Sequence, residues 1–199
     1  MEALEVNRLV DLVFARVNLT RVRMLVLNLV LVLAGAGYVV FLSKVALPLP
    51  GTPVMISLGT FSVLSVGAIL GSKRGAAAVG TFALSGAVGL PVFQGPATLG
   101  YVFGYIGAAY ITGRLAERFH SNHNVFKTAA AFALGLVPVY FFGTVYLMMF
   151  LGITDLSVGI SKAVAPFLLA EVVKVLASAV IFPSMHKIIE DKEKKWQKQ

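Results

Sequence analysis

Ala165-Pro166-Phe167-Leu168-Leu169-Ala170-Glu171-Val172-Val173-Lys174 carries the only two ionisable residues, Glu171 and Lys174, that sit well inside a long apolar run of this chain. Three residues apart on a helix, their side chains share one face. Each then offsets part of the cost of burying the other, or both meet a polar ligand between them. An intrahelical ion pair and a ligand site are both open at this point.

The surrounding chain is far too apolar for an ordinary soluble domain. Of 199 residues, 58% are hydrophobic and only 13% are charged, against roughly 45–50% apolar in soluble proteins. Mean hydropathy is +0.86. Six apolar segments are expected to be helical, approximately 22–42, 54–70, 75–90, 98–115, 126–151 and 163–182. Most approach the ~20 residues that a helix needs to cross the hydrocarbon core. The second and third fall short and are joined by Gly71-Ser72-Lys73-Arg74-Gly75, which makes this hairpin a candidate cavity wall. The expected fold class is an all-α integral membrane protein, a six-transmembrane-helix bundle.

Charge sets the orientation. With six spans, fourteen of the seventeen Lys and Arg residues fall on one side, Lys44 and Lys162 on the other, and Lys174 within a span. The positive-inside rule then puts both termini in the cytoplasm of a plasma-membrane protein. The formal charge of +8 is an orientation signal, and nucleic acid is not an expected partner. Three regions follow: residues 1–21 as an amphipathic cytoplasmic segment, 22–185 as the membrane domain, and 186–199 as a charged, solvated cytoplasmic tail. Glu2, Glu5 and Asp11 interrupt the pattern of a secretory signal, so the first segment is expected to be retained. Its apolar positions suit docking on lipid or on a partner, or it is a simple leader to the first span.

The connections expected outside the cell are 43–53, 91–97 and 152–162. The first holds Pro48, Pro50 and Pro53, the second Pro91 and Pro96, so both are expected to be stiff loops folded over a site. Gly100, Gly104, Ala108 and Thr112 recur every fourth residue, as do Ala76/Gly80 and Ala83/Ala87. Such stripes let helices approach closely, within the bundle or against a partner subunit.

Motifs for catalysis are missing. There is no Walker A sequence, no Gly-x-Ser-x-Gly elbow and no paired carboxylate within a span. Thiol and Cys-metal chemistry are excluded by the lack of cysteine. His120, His123 and His186 are expected in cytoplasmic connections, and no metal set accompanies them. Neither a catalytic residue nor a bound cofactor is expected, and ATP would be bound only by partner subunits. What remains is a small-molecule site with Glu171 and Lys174 at its floor. Counted from a last span beginning at Ala163, they lie roughly 12 and 16 Å down. Phe93, Tyr101, Tyr146 and Phe167 are candidate walls, with Ser57, Thr60, Ser85 and Gln94 as neutral hydrogen-bonding groups.

From about Ala46 to Ala179 the chain resembles the BioY biotin transporters, substrate-binding S components of energy-coupling factor (ECF) importers. The resemblance rests on Pro48-Leu49-Pro50-Gly51-Thr52-Pro53-Val54, Leu58-Gly59-Thr60-Phe61, Leu70-Gly71-Ser72-Lys73-Arg74-Gly75, Gly89-Leu90-Pro91-Val92-Phe93, Tyr146-Leu147 with Leu151-Gly152, and the stretch from Pro166 to Lys174. It implies a six-helix subunit that binds biotin from outside. The same resemblance implies delivery through a transmembrane T component and two ATP-binding subunits. Glu171 would accept from a ureido N–H, and Lys174 would donate to the ureido oxygen or to the carboxylate. The family usually has Asp at the position of Glu171 and Gln at that of Gly59. An S-type subunit for another vitamin, an intramembrane enzyme and a structural subunit are the alternatives.

Overall fold

The computed structural model describes residues 21–119 and 124–196. The amphipathic reading of residues 1–20 and the placement of His120 and His123 lie outside the described residues. The chain forms α1 (Arg21–Ser43), a two-stranded antiparallel hairpin of β1 (Ala46–Leu47) and β2 (Ile56–Ser57), α2 (Gly59–Leu70) and α3 (Ser72–Ala87). After a 3-10 turn at Pro96–Thr98 follow α4 (Leu99–Phe119), α5 (Val125–Leu151) and the short α6 (Leu156–Ala163). A second 3-10 turn, Ala165–Phe167, leads into α7 (Leu168–Trp196).

Local chemistry explains the boundaries. Asn124 caps α5 by accepting from the amides of Phe126 and Lys127 at 2.9 and 3.2 Å. Gly152 ends α5 in the left-handed conformation, φ +66. Gly71 joins α2 directly to α3 at φ +84 and ψ 174, a backbone state that a side chain would strain. Asp155 caps α6 by accepting from Ser157 N and Val158 N.

Four sequence expectations change here. The second apolar segment enters as strand β2, and its helix starts only at Gly59. The connection 152–162 contains helix α6, because the Asp155 cap makes helix starting at Leu156 favourable. The last long helix starts at Leu168, because Pro166 lacks the N–H that would continue a helix out of α6. Glu171 therefore sits in the first turn of α7, about 5 Å from its start instead of about 12 Å. His186, expected in a solvated extension, is buried on α7 at 3% exposure.

Arg21–Ser43, Val125–Leu151 and the stretch Leu156–Ile189 are long and apolar enough to cross a membrane. At 12 residues, α2 spans about 18 Å and falls short of the ~30 Å core. The interior is packed by Val63, Leu64, Val79, Phe82, Phe132, Val139, Leu147 and Phe182. Large apolar residues such as Leu25, Phe126, Met149 and Leu169 face outward, an exterior suited to lipid.

The small-residue stripe of α4 packs inside the bundle. A Cβ on Gly100 would lie 2.2 Å from the Tyr146 Cβ, and one on Gly104 would lie 2.5 Å from the Pro138 carbonyl oxygen. Thr112 donates to the Ala131 carbonyl at 3.4 Å. These contacts hold α4 against α5 by close backbone approach, the mode available where no water drives helices together.

Candidate small-molecule pocket

A cavity opens at one end of the bundle. Helices α2, α3, α4, α5 and α7 supply Thr60, Phe82, Tyr101, Val102, Tyr105, Tyr140, Glu171 and Lys174. The connections supply Val54, Met55, Ser57, Val92, Phe93, Gln94 and Thr98, and Ser43 and Phe167 complete the lining. The proline-rich connections thus form part of the cavity wall. Gln94 donates through Nε2 to the Ser43 carbonyl, and Lys44 donates to the Pro91 carbonyl, tying the second connection to the end of α1.

Charge is concentrated at one point. Lys174 Nζ is 2.8 Å from Glu171 Oε1 and 2.9 Å from Thr60 Oγ1. The Thr60 hydroxyl donates to Glu171 at 2.8 and 3.1 Å. Glu171 and Thr60 are 5% and 7% exposed. One helix thus brings an acid and a base on adjacent turns, and a second helix inserts a hydroxyl that donates to one and accepts from the other. The ammonium keeps one unused donor and the carboxylate has spare lone pairs, so the cluster presents both a donor and an acceptor to a ligand.

Aromatic rings form the walls. Tyr101 meets Tyr140 and Phe167 edge-on, each at 6.3 Å between centroids. Its hydroxyl donates to the Ala163 carbonyl at 2.8 Å, linking α4 to the corner between α6 and α7. Phe93 meets Phe82 edge-on at 5.7 Å and lies directly over Gly86, where a Cβ would fall 2.1 Å from the ring. Absence of a side chain at residue 86 is what lets this ring close on the cavity.

Of the residues singled out by sequence, Glu171, Lys174, Ser57, Thr60, Phe93, Gln94, Tyr101 and Phe167 meet at this cavity. Ser85 and Tyr146 are not part of its lining. Ser85 donates to the Phe82 carbonyl within its own helix, and Tyr146 stacks on Phe150 against Gly100. Sequence reasoning missed Tyr105 and Tyr140, whose hydroxyls turn toward Ser57 and Glu171. Tyr105 was accessible, being four residues after Tyr101 on one helical face. Nothing linear points to Tyr140. Among the described residues no group of three or more His, Cys, Asp or Glu side chains is arranged to hold a metal ion.

Fold and pocket define a membrane-embedded, multi-pass helical protein with a buried site for a small molecule. A family profile described as the BioY family matches residues 15–191. The chain belongs to the BioY family. It is 33% identical over 150 residues to the biotin transporter BioY of Thermotoga maritima, covering 70% of this chain and 85% of that protein. It is 32% identical over 173 residues to the biotin transporter BioY of Rhodobacter capsulatus, covering 77% and 90%. The fold matches the crystal structure of the S-component for biotin from an ECF-type ABC transporter with a TM-score of 0.75. That match has 22% sequence identity and covers 85% of this chain and 95% of the other.

Proposed function

We propose that this chain is the substrate-binding S component of an ECF-type importer, and that biotin is the ligand of its pocket. Family membership supplies the class. The observation that carries the ligand assignment is the buried cluster of Thr60, Glu171 and Lys174 beside aromatic walls. A fused bicycle suits such walls, and a ureido group with N–H donors and a carbonyl acceptor suits an acid and an ammonium held side by side. The catalytic motifs that an enzyme would need are missing, and a single intramembrane acid paired with a lysine is better suited to holding a neutral polar group than to turnover.

The finer reading has six helices crossing the plasma membrane, both termini in the cytoplasm and biotin entering from outside. Its support is the one-sided distribution of Lys and Arg. Delivery would depend on a transmembrane T component and two ATP-binding subunits, since this chain has no nucleotide-binding loop of its own. Calorimetric titration of the purified full chain with biotin is the test. Saturable binding, competed by desthiobiotin and not by thiamin or riboflavin, is expected. No binding at micromolar biotin would overturn the assignment, and thiamin or riboflavin binding in its place would mark the chain as an S-type subunit for another vitamin.

A further inference from the structure

We infer that Lys44 at the mouth of the pocket recognises the ligand's carboxylate and so sets the preference for an acid over its neutral analogue. This rests on the biotin reading above and deepens it. Among the described residues lining the cavity only Glu171 and Lys174 carry charge, and they are paired at 2.8 Å. The interior is therefore electrically neutral overall. A second carboxylate brought to Lys174 would set two anions against one ammonium in a poorly solvated site, where like charges repel strongly. A neutral ureido group meets no such penalty, since it donates to Glu171 and accepts from the remaining N–H of Lys174. The acid end of the ligand is thus directed away from the cluster and toward the mouth.

Lys44, not itself part of the lining, adjoins the cavity wall. Lys44 follows the lining residue Ser43, is exposed, and donates to the carbonyl of Pro91, which leads directly into the lining residues Val92, Phe93 and Gln94. An ammonium has three donors, so this bond leaves two for an incoming carboxylate. The other charged groups of the three connections on this side are placed differently. Lys162 reaches the Gly51 carbonyl at 3.4 Å, and Gly51 does not line the cavity. Asp155 is engaged in capping α6. Of these two cations, Lys44 is the one that directly follows a lining residue, Ser43, and bonds to the residue that precedes another, Val92.

The test compares biotin with biotinamide, which keeps the bicycle and lacks the negative charge, on the purified full chain. Wild type should bind biotin more tightly than the amide, by about fivefold for a partly exposed ion pair. That margin should shrink as salt rises. Lys44→Gln should bring biotin down to the affinity of the amide and leave the amide unmoved, and Lys44→Arg should keep the margin. Equal weakening of both ligands in Lys44→Gln would show that the side chain only straps the connection, and would overturn the inference. An unchanged margin in Lys44→Gln, or equal binding of the two ligands by wild type, would overturn it as well. Absence of binding of either ligand by wild type fails the biotin reading itself, a result distinguishable from all of these.

Discussion

Lys174 Nζ lies 2.8 Å from Glu171 Oε1, with the Thr60 hydroxyl of another helix bonded to both. The lysine side chain is 11% exposed and the glutamate side chain 7%. Each charge is kept in the interior by the other.

Removal of either partner should therefore cost more than removal of both. Glu171→Gln or Lys174→Met leaves one buried charge without its counter-ion, a loss of about 3–5 kcal/mol for a well-buried pair. The double variant loses the pair together and should be more stable than either single variant. Unfolding of the detergent-solubilised protein, followed by temperature or denaturant, measures this. Additive losses in the double variant would contradict the coupling.

Thr60→Val keeps the shape of the side chain and deletes its hydroxyl. Lys174 then loses an acceptor and Glu171 a donor, at about 1–3 kcal/mol for a buried group left unsatisfied. Biotin affinity should fall accordingly, and Thr60→Ser should restore most of it. If the valine variant titrates like wild type, Thr60 has no part in holding the pair.

Gly86→Ala places a methyl group 2.1 Å from the Phe93 ring and forces that ring off the cavity. Gly80→Ala in the same helix meets nothing within 4 Å and serves as the control. Ligand dissociation should speed up in the first variant alone. Equal dissociation rates in the two variants would count against Phe93 as part of the closure.

Cysteine labelling can check the topology, because the chain has no cysteine of its own. Leu49→Cys should react in intact cells with a membrane-impermeant maleimide. Lys73→Cys should react only after the membrane is opened. The reverse pattern would invert the orientation assigned from the basic residues.

Asp155 predicts a pH effect at α6. The Ser157 hydroxyl, followed by the amides of Ser157 and Val158, holds its carboxyl below the ordinary value of 3.8. A carboxyl depressed in the folded state stabilises above its unfolded value, and the benefit disappears as pH falls through the folded one. The stability difference between wild type and Asp155→Ala should be constant from neutral pH down to the ordinary carboxylate range and vanish below it. A difference that instead grows on acidification would contradict the capping role.

Much of the helical organisation was legible from the sequence, because helices in an apolar medium must satisfy their own backbone and so appear as long apolar runs. The Glu171–Lys174 pair was legible for a related reason. A charge inside such a run is costly enough to stand out, and three-residue spacing puts two of them on one helical face. The proline-bearing connections also declared themselves, and their residues Ser43, Val92, Phe93 and Gln94 line the cavity.

Other features depend on distances that no linear pattern encodes. The start of α7 at Leu168 follows from the Asp155 cap and the break at Pro166 acting together, and it moves Glu171 into a first turn. Tyr140 enters the site only because glycines on α4 let α5 come close enough for its hydroxyl to face Glu171. Tyr146, on the same helix, is turned away onto Phe150. Sequence by itself determined the membrane character, the helical runs and the buried charge pair, since each follows from solvation cost along the chain. Tertiary structure alone decided which hydroxyls and rings surround that pair, because those positions are set by how closely separate helices can approach.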